Sequence, residues 1–253
     1  MILSWYRQNA SDFGTLSATK LLVRVVWRRA VVKARNALLP ARLECPCCDW
    51  RGNRFLDYKE MGYSIQNIEC PRCASHSRHR AFFLWLRDNY QVAGKSGIAL
   101  VFAPEGALTS VWASAPALKT IGIDIEPARH VDVLGDVMHL PLVAEFADLV
   151  WCHHVLEQVT DDHLAMTELN RVLKSRTGQL VLSAGMSGNL STLEYGKSEK
   201  ALSGNRRSYG ADLAERLSTA GFVVEQLSYG LDDGALAKYA IRNEPFYVCR
   251  KVS

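Results

Sequence analysis

Apolar and polar positions follow one pattern before residue 97 and another after it. From residue 97 onward, short apolar runs alternate with stretches of helical period. The runs are GIALVF (97–102), KTIGIDI (119–125), HVDVLG (130–135), ADLVWC (147–152), GQLVLSA (178–184), GFVVEQL (221–227) and PFYVCRK (245–251). Runs this short, bounded by turn residues, predict strands rather than helices. Residues 161–173 and 209–220 carry the helical period between them. Asp161 or Asp162 opens the first as its N-cap, and Gly221 closes the second. Strands alternating with helices predict βαβ units, a parallel sheet and a doubly wound α/β domain. The last two runs, with a turn-rich linker between them, fit an antiparallel pair at one edge.

Before residue 97 the pattern is different. Residues 17–38, SATKLLVRVVWRRAVVKARNAL, predict a helix ended by Pro40. Lys20, Arg24, Arg28 and Arg35 fall on one face, and Leu21, Leu22, Val25, Val32 and Leu38 elsewhere around it. Residues 76–90 predict a second amphipathic helix leading into the α/β domain. The stretch between these helices holds five of the seven cysteines. Three parts are therefore expected: a helical region at 1–42, a small module at 43–75 and the α/β domain at 76–253.

Composition changes this picture little, since 48% apolar and 22% charged residues are ordinary for a globular chain. The distribution of charge changes it more. Residues 1–44 carry eight Lys/Arg against two acids, a net +6; residues 45–97 are at +3 and the remainder at −5. A basic front on an acidic back suggests that the front meets something anionic. A helix such as 17–38 can lie on the inner face of an anionic membrane or touch nucleic acid. It can equally pack its apolar side on the protein and solvate its charges. No segment approaches about 18 uninterrupted apolar residues, and the start lacks a signal-like pattern. A cytoplasmic location is expected.

The cysteines form two C-x-x-C pairs, Cys45 with Cys48 and Cys70 with Cys73, with 21 residues between them. Each pair can present two thiolates to one ion, and two pairs supply the four tetrahedral sulfurs of a structural zinc site. Such a site leaves no open position for water, so it staples rather than catalyses. Trp50, Gly52, Phe55, Tyr58 and Tyr63 would form a small core around it. Cys47 is spare, and His76 and His79 are not needed as ligands.

In doubly wound sheets, ligands bind outside the carboxyl ends of the strands at the switch point. Asp124 ends the second run, followed by Ile125. A carboxylate there can accept from both hydroxyls of a ribose. Asp136, followed by Val137, comes after the third run and is placed to accept from an adenine amino group. Two acids at successive strand ends predict an adenosine site. The fourth run leads into CHHVLEQV (152–159), placing Cys152 and His153 at the pocket and His154 and Glu157 just beyond. Cys249 is expected in the core.

The block FADLVWCHHVLEQVTDDHLAMTELNRVLKSRTGQLVLS resembles the fourth strand, helix and fifth strand of class I S-adenosylmethionine-dependent methyltransferases of the type 11 branch. More narrowly, CPRCASHSRHRAFFLWL followed by FAPE resembles a bacterial subgroup in which a four-cysteine module precedes the methyltransferase domain. The resemblance spans roughly residues 43 to 230. It implies a seven-strand, Rossmann-like sheet with the last strand antiparallel, S-adenosylmethionine as cofactor and a methyl-transfer activity. It also implies cofactor contacts from Ala103, Pro104, Glu105 and Gly106 after the first strand. The glycine-rich turn usual there is missing: Val101 stands in place of its preceding acid, and Gly106 is the only glycine. Glu105 is the residue left to receive the methionine ammonium group. KSRTG replaces the family's KPGG, and Gln158 its histidine.

Methyl transfer is an in-line displacement, so a base matters only if the acceptor loses a proton. His154 is the candidate base, and a structural, hydrogen-bonded histidine is the competing reading. The acceptor is not written in the chain. Arg206 and Arg207, in the polar segment 185–208, can meet an anionic group or stand in solvent. Three functions are open: methylation of a small molecule or glycan-related metabolite, methylation of RNA gripped by the cysteine module and basic helix, and non-catalytic binding on the same fold.

Overall fold

Pro40 forces the preceding residue out of helical conformation, and the chain obeys. Helix α1 (Thr15–Leu38) ends at an extended Leu39 whose N–H still donates to Arg35 O. Strands β1 (Leu43–Cys45) and β2 (Trp50–Gly52) pair antiparallel, as do β3 (Leu56–Glu60) and β4 (Tyr63–Glu69). Helix α2 (Ser77–Leu84) follows and closes in a π-helical turn at Trp85–Asn89, where a single helix over 76–90 was expected. The computed structural model describes residues 6–7, 9–11, 14–60, 63–199 and 204–252.

Helix α1 departs from the simple amphipathic reading. Ala18 and Val32 are buried and Leu21, Leu22 and Val25 half-buried, as an inward apolar side requires. That same side is anchored by polar groups. Asn36 Oδ1 accepts from the N–H groups of Asn53 and Arg54, and its Nδ2 donates to Arg54 O. Arg28 reaches Asp57 at 3.0 Å, Arg29 reaches Glu69 at 2.9 Å and Arg35 reaches Asn53 at 2.7 Å. Several cations are therefore spent on docking. A second apolar stripe is left outside: Leu16, Val23, Trp27 and Leu38 are 69%, 62%, 69% and 82% exposed.

The α/β part is one seven-strand sheet. Its strands are β5 (Gly97–Phe102), β6 (Leu118–Asp124), β7 (Val133–Leu134), β8 (Leu149–His153), β9 (Gln179–Ser183), β12 (Phe222–Leu227) and β13 (Phe246–Lys251). The order is β12-β13-β9-β8-β5-β6-β7, parallel except for β13, which runs antiparallel to both its neighbours. The antiparallel strand thus inserts between β12 and β9 and leaves β12 at the edge. Helix α3 (Thr109–Ala113) follows β5 and helix α4 (Asp162–Val172) follows β8. Asp161 is the N-cap of α4, accepting from Leu164 N at 2.9 Å. Ala165, Met166, Leu169 and Val172 form its buried stripe, packing with Leu100, Phe102, Val150 and Leu180 of the sheet. Cys249 is buried in the same core.

Two expectations fail for local reasons. Helix α5 (Leu213–Thr219) begins later than residue 209, because Tyr209 N donates to Gly185 O and its hydroxyl donates to Asp162 at 2.9 Å. The segment 185–208, read as loop, forms an antiparallel pair, β10 (Leu193–Glu199) with β11 (Asn205–Ser208); residues 200–203 lie outside the described residues. A further short helix, Asp233–Lys238, lies in the turn-rich linker.

The chain divides into two units, Met1–Phe83 with Leu231–Arg242, and Leu84–Gly230 with Asn243–Ser253. These borders differ from the expected ones at 42/43 and 75/76. Residues 231–242 return to the first unit because its groups hold their backbone. Arg80 donates to Tyr239 O and Ala240 O, and Ser77 Oγ accepts from Arg242 N. Lys238 pairs with Glu44 at 2.9 Å.

Candidate functional site

The switch in strand order falls at β5, which carries β6 on one side and β8 on the other. Ala103 leaves β5 in a left-handed conformation (φ 47), its N–H still bonded to Ile123 O at 2.9 Å. Pro104 and Glu105 are half-buried, and Gly106 is exposed with nothing within 4 Å of where a Cβ would stand. This leaves open space beside the strand end. Gly122 allows the turn that leads into β7 to pass closely, since a Cβ there would run into the His130 carbonyl. Asp132 Oδ2 accepts from Gly122 N at 2.8 Å and pins that crossing.

Asp124 closes β6, half-buried, with Oδ1 accepting from Glu126 N at 3.2 Å. A carboxylate offers about four acceptor positions, so capacity remains for further donors. Ile125 beside it is 70% exposed. Asp136 Oδ1 accepts from Met138 N at 2.8 Å and its carbonyl from His139 N, a local turn that uses part of its acceptor capacity. The Val137 side chain is buried in the core. Cys152 is also buried there, and burial together with the Glu157 charge pushes its thiol up. Both side chains point inward, so only their backbone can serve a ligand. His153 is interior as well, with Nδ1 at 2.6 Å from Ser183 Oγ and its ring edge-on to Trp151.

His154 differs from its neighbour. Its backbone is left-handed (φ 53), its N–H donates to Ser183 O, and its side chain is one-third exposed. Nδ1 lies 2.9 Å from Glu157 Oε1. Glu157 is 1% exposed; its Oε1 also accepts from Gly185 N, and its Oε2 is buried with no hydrogen-bond partner among the described residues. An oxygen that accepts from an amide and faces an imidazole nitrogen favours the tautomer in which Nδ1–H donates and Nε2 keeps the lone pair. Spacing within HVLEQ, three residues from His154 to Glu157, is the sequence signal for this pair; Ser183 had none.

The two arginines of the polar segment part company. Arg206 is half-buried and donates its backbone N–H to Glu157 O. Arg207 is buried, donating to Leu156 O, Val159 O and Thr160 O and pairing with Glu194 at 3.1 Å. It holds the β8–α4 turn and is not available to an acceptor.

In the first unit, Cys45, Cys48, Cys70 and Cys73 bring their sulfurs within 4.8 Å of one another. Cys45 to Cys73 is 3.6 Å and Cys48 to Cys70 is 3.7 Å, too long for disulfides. A tetrahedron with arms of about 2.3 Å has edges of roughly 3.8 Å, so the donor set fits zinc. The two knuckles repeat one geometry. Asp49 N donates to Cys45 O and Ala74 N to Cys70 O, and both donors are left-handed, at φ 56 and 58. Cys47 stands outside the group, near His79 O at 3.8 Å, and His79 Nδ1 accepts from His76 N. Phe55 is buried against the cysteines with the Trp50 ring tilted against it at 5.1 Å; the side chain of Tyr63 lies outside the described residues. Sequence reasoning missed Arg80. It is fully buried, donates also to Ile68 O and Ser75 O, and lies 4.0 Å over the Phe55 ring. Burial lowers the guanidinium while the surrounding cysteines pull it up.

Residues 94–182 match a family model described as a methyltransferase domain. A methyltransferase from Mesorhizobium loti, described as S-adenosylmethionine-dependent, has a similar structure: TM-score 0.51, 15% identity, 68% of this chain and 98% of that one covered. So does the 1,6-didemethyltoxoflavin-N1-methyltransferase of Burkholderia thailandensis, solved with 1,6-didemethyltoxoflavin and S-adenosylhomocysteine: TM-score 0.50, 16% identity, 78% and 98% covered. No curated protein matches the chain in sequence. The seven-strand mixed sheet is the Rossmann-like methyltransferase fold.

Proposed function

We propose that the chain transfers a methyl group from S-adenosylmethionine to a small-molecule or glycan-related acceptor, and that its four-cysteine cluster holds one structural zinc. The observation that carries the reading is Asp124, a half-buried carboxylate with spare acceptor capacity at the carboxyl end of β6, beside the switch point. There it would take the ribose hydroxyls, while the free oxygen of Asp136 would take the adenine amino group. The open space beside Gly106 suits the methionine portion, with Glu105 as its counter-ion. When bound, S-adenosylmethionine supplies a sulfonium-activated methyl group.

The chain's own part in the reaction is positional. His154 Nδ1–H donates to the buried Glu157 carboxylate, which fixes the ring and stabilises the imidazolium formed if Nε2 takes a proton from the acceptor. The polar anchors of Arg207 and the backbone bonds from Arg206 to Glu157 hold the β10–β11 pair beside this histidine. A small acceptor is favoured over RNA because residues 98–253 carry a net −5 and Arg207 is already spent. Isolating the protein with its bound small molecules and identifying them by mass spectrometry tests the reading. S-adenosylmethionine or S-adenosylhomocysteine is expected. A calorimetric titration with S-adenosylhomocysteine that gives no heat, in folded protein, would overturn it.

A further inference from the structure

The outward face of α1 is unusual for a helix already packed on its own domain. Leu16, Val23, Trp27 and Leu38 recur at helical spacing, each more than 60% exposed. Val31 and Val26, 47% and 54% exposed, widen the stripe, and Ala30 and Ala34 continue it. Apolar residues scattered singly over a surface need no explanation, but a contiguous stripe along a 24-residue helix does.

Its edges are cationic. Arg24 borders one side and Lys33 the other, and Lys20 lies within the stripe one turn after Leu16; all three are exposed and have no acidic partner among the described residues. Arg28 and Arg29, by contrast, are held by Asp57 and Glu69. Trp27 and Val31 also form the lip of a cleft of about 580 Å³ between the helix and the β3–β4 pair. Arg28, Arg35 and Arg54 line that cleft against a single acid, Asp57, which already bonds two of them at 3.0 Å each. An apolar stripe bounded by free cations, with an aromatic at its centre and a cation-rich cleft beside it, complements one kind of partner. The apolar residues enter the acyl boundary, tryptophan sits at headgroup depth, and the cations meet anionic headgroups. A second copy of the helix would set Lys20, Arg24 and Lys33 against their own kind, and RNA would leave the stripe of leucine and valine without a partner.

We infer that α1 is a membrane-surface element that docks this protein flat on bilayers containing anionic lipid. The full chain is sedimented with vesicles of phosphatidylcholine alone and of phosphatidylcholine mixed with phosphatidylserine. Binding to the mixed vesicles only is expected, weakening as salt shortens the screening length. The double variant Val23→Ser/Trp27→Ser removes exposed apolar groups and should bind at least tenfold more weakly with its melting curve unchanged. Lys20→Glu/Arg24→Glu should lose binding to the anionic vesicles altogether. Protein that stays in the supernatant with both vesicle types, or a serine variant that binds like the parent, overturns the inference. So does a dimer in sedimentation velocity that the serine variant abolishes, which would make the face a self-association surface. RNA binding lost in the glutamate variant but kept in the serine variant overturns it too, in favour of nucleic acid.

Discussion

The cysteine cluster and the strand-end crevice are built by opposite means. In the first unit, two knuckles each bring a thiol pair together through local backbone bonds, Asp49 N to Cys45 O and Ala74 N to Cys70 O being common to both. The four sulfurs come from 29 residues of sequence, and their grouping is readable from spacing alone. In the second unit the groups of the proposed cofactor site come from the ends of separate strands: Ala103 after β5, Asp124 on β6, Asp136 after β7, His154 after β8. Each is ordinary in its own segment, and only the sheet order assembles them. A site made by local bends fails all at once when one member is removed, whereas a site made by topology degrades member by member. That difference can be tested.

The largest effect is expected at the knuckles. Structural zinc at such a site contributes apparent binding energies of about 10–16 kcal/mol, which is folding energy for the module. Cys48→Ser or Cys73→Ser should give insoluble protein. Cys47→Ser should be mild, because Cys47 lies outside the four-sulfur group. Elemental analysis should find about one zinc per chain; folded, stable protein without metal would remove the contrast between the two sites.

Next comes His154. If it takes a proton, His154→Ala should cost about 10²–10⁴ in turnover while S-adenosylhomocysteine binds as before. Glu157→Gln should lower turnover less, since the ring keeps a hydrogen-bond acceptor but the imidazolium loses its anionic partner. Turnover that survives both changes would make His154 a structural residue.

A smaller effect is expected at Asp124. Asp124→Ala removes charge-assisted bonds worth about 1.5–3 kcal/mol, a tenfold to hundredfold loss of S-adenosylhomocysteine affinity by calorimetry. Asp124→Asn should fall between, and Asp136→Ala should weaken binding less, because Asp136 already spends an oxygen on Met138. Unchanged affinity in Asp124→Ala with an intact fold would move the adenosine site elsewhere.

The smallest effect concerns the base of the sheet. Burial alone would raise the Asp148 carboxyl, but Lys174 at 2.9 Å and Ile98 N–H outweigh it and hold it below the ordinary value. A depressed carboxyl stabilises the fold at pH above the unfolded value of about 3.9 and loses that contribution as pH falls through the folded one. Lys174→Ala should cost about 0.2–1 kcal/mol at neutral pH, since the pair is partly exposed. The deficit should shrink in acid, as urea titrations at two pH values would register.

How much was legible follows the same divide. GIALVF became β5 with both ends as read, because a strand buried on both faces has no polar positions to blur it. HVDVLG shrank to Val133–Leu134, an edge strand with one neighbour. LEYGKSE gave no strand signal, since β10 is held by partners outside its own alternation: Glu194 by Arg207, and the preceding Thr192 by Asp212. The C-x-x-C spacing that brings four sulfurs together was visible. Arg80 and Ser183 were not, because their partners, Tyr239 and Ala240 for the one and His153 for the other, lie far away in sequence. Helix α1 misled most, for a single apolar side was expected and the helix has two.

The return of residues 231–242 to the first unit sets an order of events during synthesis. The cysteines and Arg80 leave the ribosome long before Tyr239 and Ala240, the carbonyls that complete the shell around that guanidinium. At about 5–20 residues per second the wait is roughly 8–32 s. Through that interval the Arg80 guanidinium lacks two of its four carbonyl acceptors and the module's lining is incomplete. Early metal capture would hold the nascent knuckles in place until the chain comes back to close them, and an oxidant arriving first would find four neighbouring thiols without their cover.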